Sequence, residues 1–563
     1  MVAVTLPAPD DTRDFGRFLR AQGMVKFVQG KKVVFWPHGK YSVVTDEITG
    51  AGLYDGSHQP GWGGRLPAPV GGVPPLASWQ EDAILQAGTM WRLGIGHRMG
   101  LGKTRTAIEI MRQDYTYDHL HKFLVMTPKV LPTTWVSQLN KWWPGHPFTV
   151  CMPKGWAAKL RQVLPAHEVD LLKVQVKDYM PGIKGPVLFL GTWMCGVKVW
   201  EEMKAFGADA VFFDEAHRLQ NSSSDTHKKS LALWGCSPEG PQRVVCLTGT
   251  PLTQEPISLH GPQRFIEPSV FPWARSKFAQ WFKPDQTVMR ITGAYKPSKE
   301  FVDEKHERKF LDVMENFWHV VQDANRTWPE PVYKEVPVSN RFVKHEAQML
   351  RSGVLTLPPL VDGEDDVVVV TDGPAEKGLR AIELCQGFVG IMDLDGEGRR
   401  VRVETRWLCD PVDTPKAKAL AEIIANHDDG SPLVVFCQWS PDVHMASAVC
   451  QAAGVKYGLH TGKHKDALTA SNEIREGLDV IICQVKASAE GLQLTAAHTA
   501  VWVSTPREIT VWRQANSRLD RTGQTRQVTN IMLFAGERDR KAYENLVAGK
   551  NFLDDLINQV GAG

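Results

Sequence analysis

The sequence predicts an α/β protein: two domains in tandem, each built on a parallel sheet, with a helical insertion between them and a small β-rich unit in front. Two series of short, β-branched apolar runs carry this reading, together with the helical stretches that separate them. Phe123–Met126, Val187–Leu190, Ala210–Phe213 and Val244–Leu247 form the first series; Leu433–Phe436, Val480–Cys483, Ala500–Val503 and Val528–Leu533 form the second. Near-continuous apolar strands alternating with helices imply parallel sheets covered on both faces. The length of 563 residues, with 43% hydrophobic and 23% charged, suits several compact domains and excludes wholesale disorder, a collagen-like repeat or a coiled-coil rod.

In chain order, residues 1–75 read as a small accessory unit plus a linker. Lys26 to Val44 alternates β-formers with turn residues, as a short antiparallel meander does, and the Gly/Pro-rich stretch from Gly61 to Pro75 is too rich in breakers for regular structure. Residues 76–268 and 334–563 hold the two α/β domains. Between them, 269–333 is less regular, with amphipathic helices expected over Arg275–Phe282 and Lys305–Val321, and Asp362 to Asp366 reads as a solvated acidic loop. The nine cysteines are scattered, with no Cys-x-x-Cys pair, which argues against a disulfide scaffold or a zinc ribbon. No apolar run reaches membrane-spanning length, and Met1 to Asp11 lacks the pattern of an export signal, so a cytoplasmic or nucleoid/nuclear setting is expected. A net charge of +2 neither demands nor excludes a nucleic-acid partner.

Three motifs carry chemistry. Met99, Gly100, Leu101, Gly102, Lys103 and Thr104 form a loop of the kind whose backbone N–H groups face phosphate oxygens at a helix start. Lys103 would neutralise the β- and γ-phosphates and the Thr104 hydroxyl would help hold Mg2+. The strict pattern wants glycine where this chain has His97. Asp214, Glu215, Ala216 and His217 follow the run Ala210–Phe213; a strand-end aspartate can hold Mg2+ through water, and the adjacent Glu215 can orient or deprotonate an attacking water. Strand ends of one parallel sheet converge on one crevice. Gln514, Arg518 and Arg521 recur at helical spacing and are expected on one helical face, where an arginine fork matches a γ-phosphoryl group.

In this order the motifs resemble the helicase superfamily 2 ATPases, most closely the Swi/Snf-type DNA translocases. Leu247 to Pro251 (LTGTP) is similar to motif III, Phe265 to Pro268 to the Phe-x-x-Pro ending, Gly491 to Leu494 to motif V and Gln514 to Gln524 to motif VI. Thr127-Pro128 with Trp135 resembles motif Ia, Gly191 to Trp193 motif Ib, Phe436 to Trp439 motif IV, and Trp79-Gln80 the adenine-reading glutamine motif. The chain departs from the family at His97-Arg98, where an acidic pair is usual, and at Ser504, where an aspartate is usual.

The resemblance implies two RecA-like lobes that grip ATP and Mg2+ in the cleft between them. Lys103, Asp214, Glu215, Arg518 and Arg521 would be catalytic. Gln80, Met99 to Thr104, Gly491 and Gln514 would bind ATP, with Thr104 and Asp214 holding the metal. His217, Thr248 and Thr250 would couple the nucleotide to the DNA face. Thr127, Thr192, Thr461 and Ser488 would meet DNA phosphates, and Trp135, Trp193 and Trp439 are expected to pack within the lobes rather than stack on bases. The implied activity is ATP-driven movement along double-stranded DNA that remodels protein–DNA or branched structures. A strand-separating helicase on DNA or RNA, or a nucleotide-gated scaffold without turnover, are the alternatives. Any protein partner would bind through 1–75 or 269–333, and no membrane partner is implied.

Overall fold

The computed structural model describes strand residues within 1–61, residue 62, and 65–548 apart from short intervals (129–131, 156–175, 194–196, 235–240, 254, 268–269, 273, 287–288, 290–294, 322–328, 359–365, 372, 395–399, 465, 469–472, 489–491, 507 and 522). Gly491, Pro268, most of the acidic stretch at 362–365 and the side chain of Ser488 lie outside the described residues. The chain divides into two compact units, Met1–Asn325 and Arg326–Asn551. Among the described residues no helix is long and apolar enough to cross a membrane.

At the start of the chain, β1 (Thr5–Pro7), β2 (Val25–Val28) and β3 (Lys32–Phe35) form an antiparallel sheet in the order β1-β3-β2, and β4 (Val43–Thr45) pairs with β5 (Gly52–Tyr54). The Gly/Pro-rich stretch that follows is irregular, as its breakers predict, yet it is seated rather than loose. Trp62 is fully buried, and the main-chain carbonyls of Arg65, Ala68 and Pro74 accept hydrogen bonds from Gln113, Arg112 and Arg105.

The first unit's sheet contains β6 (Arg92–His97), β7 (Lys122–Thr127), β8 (Thr149–Met152), β9 (Val176–Asp178), β10 (Val187–Thr192), β11 (Ala210–Asp214), β12 (Arg243–Leu247) and β15 (Trp318–Val321), in the order β15-β6-β12-β11-β7-β10-β8-β9. Every pairing is parallel. The core holds Leu93, Ile95, Val125, Leu190, Phe212 and Val245, against helices α1 (Ser78–Ala87), α2 (Lys103–Tyr117) and α3 (Pro132–Trp142). Buried on both faces, these strands lack polar alternation, so the apolar runs mark them in the sequence.

Between β12 and β15 lie α4 (His260–Ile266), a hairpin of β13 (Phe282–Pro284) and β14 (Pro297–Phe301), and α5 (Glu304–Phe317). Asp303 caps α5 by accepting from the His306 N–H at 2.9 Å. The helix expected over Lys305–Val321 therefore stops at Phe317, and its last four residues cross into the sheet as β15. Gly94 and Gly96 of β6 explain why: a Cβ at Gly94 would lie 2.1 Å from the Trp318 ring, and one at Gly96 3.2 Å from Val320. The two glycines leave room for β15 to lie flat beside β6. Helix period and strand period are hard to separate in an apolar run as short as Trp318–Val321.

In the second unit, β16 (Val332–Pro337), β21 (Leu433–Cys437), β22 (Tyr457–His460), β23 (Val480–Gln484), β24 (Thr499–Trp502) and β25 (Thr529–Phe534) form a six-stranded parallel sheet ordered β16-β25-β24-β21-β23-β22. Two antiparallel hairpins, β17 (Val354–Leu357) with β18 (Val367–Val370) and β19 (Phe388–Leu394) with β20 (Arg400–Trp407), precede β21. Helices α6 (Pro415–Ala425) and α7 (Ser440–Ala453) contribute Leu420 and Met445 to the core against Val435 and Val501. These are the two parallel-sheet α/β domains that the two series of apolar runs predict.

Candidate nucleotide site and its surroundings

The C-terminal ends of β6, β12 and β11, three adjacent strands, carry the three motifs of the first unit. After His97 the chain turns through Gly100 and Gly102, both at positive φ (89° and 79°), with the Leu101 N–H donating to the Arg98 carbonyl at 3.2 Å. Glycine meets this backbone without strain, and α2 starts at Lys103, directing its first N–H groups at the loop. Lys103 Nζ donates to the His97 carbonyl at 2.9 Å. A Cβ at Gly249 would lie 2.8 Å from Met99 and 3.4 Å from Lys103 Nζ, so the LTGTP glycine is what lets β12's loop close on the lysine.

Gln80, expected to read adenine, is buried and spends its amide on the loop. Its Oε1 accepts from the Ala77 N–H at 3.1 Å, and its Nε2 lies 3.4 Å from the Leu101 and Gly102 carbonyls. Trp79 Nε1 donates to the Leu101 carbonyl at 3.1 Å. Together they hold the phosphate loop against α1.

Asp214 ends β11 in a buried position. Its Oδ2 accepts from Trp135 Nε1 at 2.9 Å, its Oδ1 from the Glu215 N–H at 3.0 Å, and its carbonyl from Trp193 Nε1 at 2.9 Å. Both tryptophans are buried, so they pack as expected; their donation to Asp214 is a role the sequence did not reveal. Burial, then the neighbouring Glu215, raises the Asp214 carboxyl to about 6, while Trp135 and Lys103 work in the other direction. Glu215 has φ 55°, one of two non-glycine residues at positive φ among those described. Such strain, on the order of 1–3 kcal/mol, persists where the surroundings over-determine a functional geometry.

Two carboxylates crowded in a partly dry site leave an excess of negative charge that Lys103 only partly offsets. Asp214 and Thr104 are therefore suited to holding a divalent cation, and the donor chemistry fits magnesium, which takes oxygen ligands and keeps several waters.

His217 Nδ1 lies 3.2 Å from Glu215 Oε2. Thr248 Oγ1 accepts from the Thr250 N–H at 3.0 Å, whereas the buried Thr250 hydroxyl has no hydrogen-bond partner. The side-chain bridge from the segment after Asp214 to the segment after LTGTP is made by Gln220 and Thr253, whose Oγ1 donates to Gln220 Oε1. Neither residue stands out in the sequence, since a polar pair between loops leaves no periodic signal.

Of the residues expected at DNA, Thr127 is fully buried and donates its hydroxyl to the Pro128 carbonyl at 2.9 Å. Thr461 is buried and accepts from the N–H groups of Lys463 and His464 at 3.2 and 3.0 Å, closing a tight turn. Thr192 is also buried, its hydroxyl without a hydrogen-bond partner. At Thr127 and Thr461 the hydroxyls are committed internally.

In the second unit the helix carrying Gln514 ends early. Helix α8 runs Ile509–Asn516, and Arg518 and Arg521 lie on the turns beyond it, so the three do not share one helical face. Local polar bonds compete with the helix here: Ser517 Oγ donates to the Gln514 carbonyl at 2.8 Å and Asn516 Nδ2 to the Trp512 carbonyl at 3.0 Å. Gln514 is buried; Arg521 is half-buried, donates to the Leu492 carbonyl at 3.3 Å, and burial lowers its pKa. Ser504, standing where an aspartate is usual, donates to Asp442 Oδ2 at 2.6 Å and accepts from the Gln438 N–H at 2.8 Å. A carboxylate from α7 thus reaches the same strand end.

Residues 88–318 match the family model for the SNF2-related domain. The first unit carries an SNF2-related domain. The match spans most of the first unit and does not extend into the second. It is 27% identical over 206 residues to human chromodomain-helicase-DNA-binding protein 8, covering 36% of this chain and 8% of that protein. It is 22% identical over 485 residues to the SWI/SNF chromatin-remodeling complex subunit snf22 of Schizosaccharomyces pombe, covering 83% and 26%. Protein CHROMATIN REMODELING 19 of Arabidopsis thaliana is 22% identical over 528 residues, covering 83% and 66%. Among solved structures, the Sulfolobus solfataricus SWI2/SNF2 ATPase core in complex with dsDNA aligns over 88% of this chain and 95% of that one, at 16% identity and a TM-score of 0.37. The SNF2-related match includes the phosphate loop, Asp214–His217 and LTGTP.

Proposed function

We propose that this chain is an SNF2-type ATPase that moves along double-stranded DNA and so remodels protein–DNA or branched DNA structures. The observation that supports it best is the convergence of Lys103, Asp214 and Glu215 at adjacent strand ends of one sheet. Lys103 leaves the His97 carbonyl for the phosphates. Glu215, held by its own strained backbone, orients the attacking water and accepts its proton. Asp214 and Thr104 would hold Mg2+, which supplies charge neutralisation on the phosphate oxygens when bound. Arg518 and Arg521 of the second unit stabilise the transferring phosphoryl group, so turnover needs both units. DNA is met through main-chain amides near Thr127, Thr192, Thr461 and Ser488, as sequence-independent phosphate contact requires.

Phosphate release measured on single-stranded, duplex and branched DNA tests this. Duplex or branched DNA should stimulate most. Glu215→Gln should cost about 10²–10⁴-fold and Arg521→Ala about 10³–10⁵-fold, with thermal melting unchanged. Turnover unchanged from wild type in both variants would remove the mechanism. Strand displacement matched by preference for single strands would favour the helicase reading instead.

A further inference from the structure

His97 occupies the first position of the phosphate loop, where the strict pattern has glycine, and its side chain is fully buried. Its Nε2 lies 2.8 Å from His319 Nδ1, the two rings crossing at 69° with centroids 5.0 Å apart. His319 belongs to β15, one residue past the end of the SNF2-related match at 318. The pair is therefore a feature of this chain on which the family match is silent.

The contact is built in from three directions. Val321 is in register with His97, and the Arg98 N–H donates to the Val321 carbonyl at 2.8 Å, so strand pairing continues to the mouth of the loop. Gly94 and Gly96 give the Trp318 and Val320 side chains their space on β6, and Trp318 Nε1 is anchored by Gln263 Oε1 at 2.9 Å. The His97 carbonyl, finally, is where Lys103 rests. The same residue thus holds β15 with its ring and the lysine with its main chain.

The two imidazoles share one proton. His97 Nδ1 is buried without a hydrogen-bond partner, and a bare ring nitrogen is cheaper to leave so than an N–H. His97 therefore donates from Nε2 and His319 accepts at Nδ1. That tautomer leaves the His319 proton on Nε2, in the field of the Asp82 carboxylate.

We infer that His319 is a positioning residue for the phosphate loop: its hydrogen bond to His97 fixes the residue on which Lys103 rests and ties that residue to β15. This rests on the nucleotide reading above.

The test is binding of the fluorescent nucleotide mant-ADP with Mg2+ to the full chain, with thermal melting of each variant. Wild type should bind, and Lys103→Ala should lose most of the affinity. His319→Phe, which fills the space but accepts no hydrogen bond, should bind about tenfold more weakly. His319→Asn, whose Oδ1 is bonded to Cγ as Nδ1 is, restores an acceptor at that position and should recover to within about threefold. Should the phenylalanine variant fail to fold, His319→Leu, the apolar isostere of asparagine, takes its place against His319→Asn. A phenylalanine or leucine variant that binds as well as wild type overturns the inference while the nucleotide reading stands. So does a folded asparagine variant as weak as either. A wild type that binds no mant-ADP overturns both.

Discussion

The two units hold the groups proposed for the reaction by different means. In the first, Asp214 ends a buried strand and is gripped by two indole N–H groups and its neighbour's amide, while Lys103 opens a long helix directly after its loop. In the second, Arg518 and Arg521 lie past the end of α8, on turns held by local bonds. A strand end inside a parallel sheet is fixed by pairing on both sides, whereas a turn is fixed mainly by its own residues. The first unit therefore holds its groups by strand pairing, and the second holds Arg521 by its bond to the Leu492 carbonyl and Arg518 by the Leu494 N–H on its own carbonyl.

Among the described residues each unit contains a fully buried ion pair that allows the units to be broken separately. Arg243 of β12 bonds Asp114 of α2 through Nε at 2.8 Å and Nη2 at 2.6 Å, with Trp62 Nε1 donating to the same carboxylate at 3.1 Å and Trp91 stacked 4.9 Å from the guanidinium. Lys416 of α6 bonds Asp539 and the Val503 carbonyl. Removing one partner of a buried pair strands the other charge and costs about 3–5 kcal/mol. Arg243→Ala should destabilise the first unit by that amount and leave amide exchange in the second unchanged; Lys416→Ala should do the reverse. Simultaneous loss of protection throughout the chain in both variants would show that the units do not unfold independently.

Acid should separate them more gently. Burial, with Arg264 nearby, pushes His227 down to about 4 and His260 down to about 3 in the first unit. A histidine whose folded pKa lies below its unfolded value of about 6.5 takes up its proton on unfolding, so stability is whole above that pH and drains as pH falls toward about 4. Asp214, raised to about 6, partly offsets this because it accepts a proton while folded. The second unit runs the other way. Burial raises Asp442 to about 6, so acid relieves it; burial also works upward on Asp429, but Ser431, His427 and His498 outweigh it and hold it at about 2. Between pH 6.5 and 4 amide exchange should rise in the first unit before the second, and the opposite order would contradict these assignments.

The same contrast sets what could be read in advance. All eight apolar runs became parallel strands because strands buried on both faces must be continuously apolar, and the strand-end position of Asp214–His217 followed because the motif directly succeeds one of those runs. The β6 strand passed unnoticed because Gly94 and Gly96 dilute its apolar character, and those glycines exist for β15, a partner more than 200 residues away. The single helical face expected for Gln514, Arg518 and Arg521 failed because spacing says nothing of where Ser517 stops the helix. Trp135 and Trp193 were legible as packing residues, yet only the fold shows both indoles meeting one aspartate.

That meeting gives the smallest effects and the finest comparison. Trp135 donates to a carboxylate oxygen of Asp214, and Trp193 to its neutral main-chain carbonyl. A hydrogen bond to a charged group is worth about 1.5–3 kcal/mol and a neutral one about 1. Phenylalanine keeps most of the buried ring in both places. Trp135→Phe should therefore slow phosphate release about tenfold to a hundredfold and raise the Mg2+ concentration needed for half-maximal rate, because the freed carboxylate oxygen is no longer aimed. Trp193→Phe should cost less than about tenfold and leave the Mg2+ requirement in place. In the second unit Trp439, half-buried beside Phe388 at 6.1 Å, has no catalytic carboxylate to direct, and Trp439→Phe should leave both quantities unchanged. If Trp135→Phe and Trp193→Phe slow the reaction equally with no change in Mg2+ dependence, the indoles only fill space, and Asp214 owes its orientation to β11 alone.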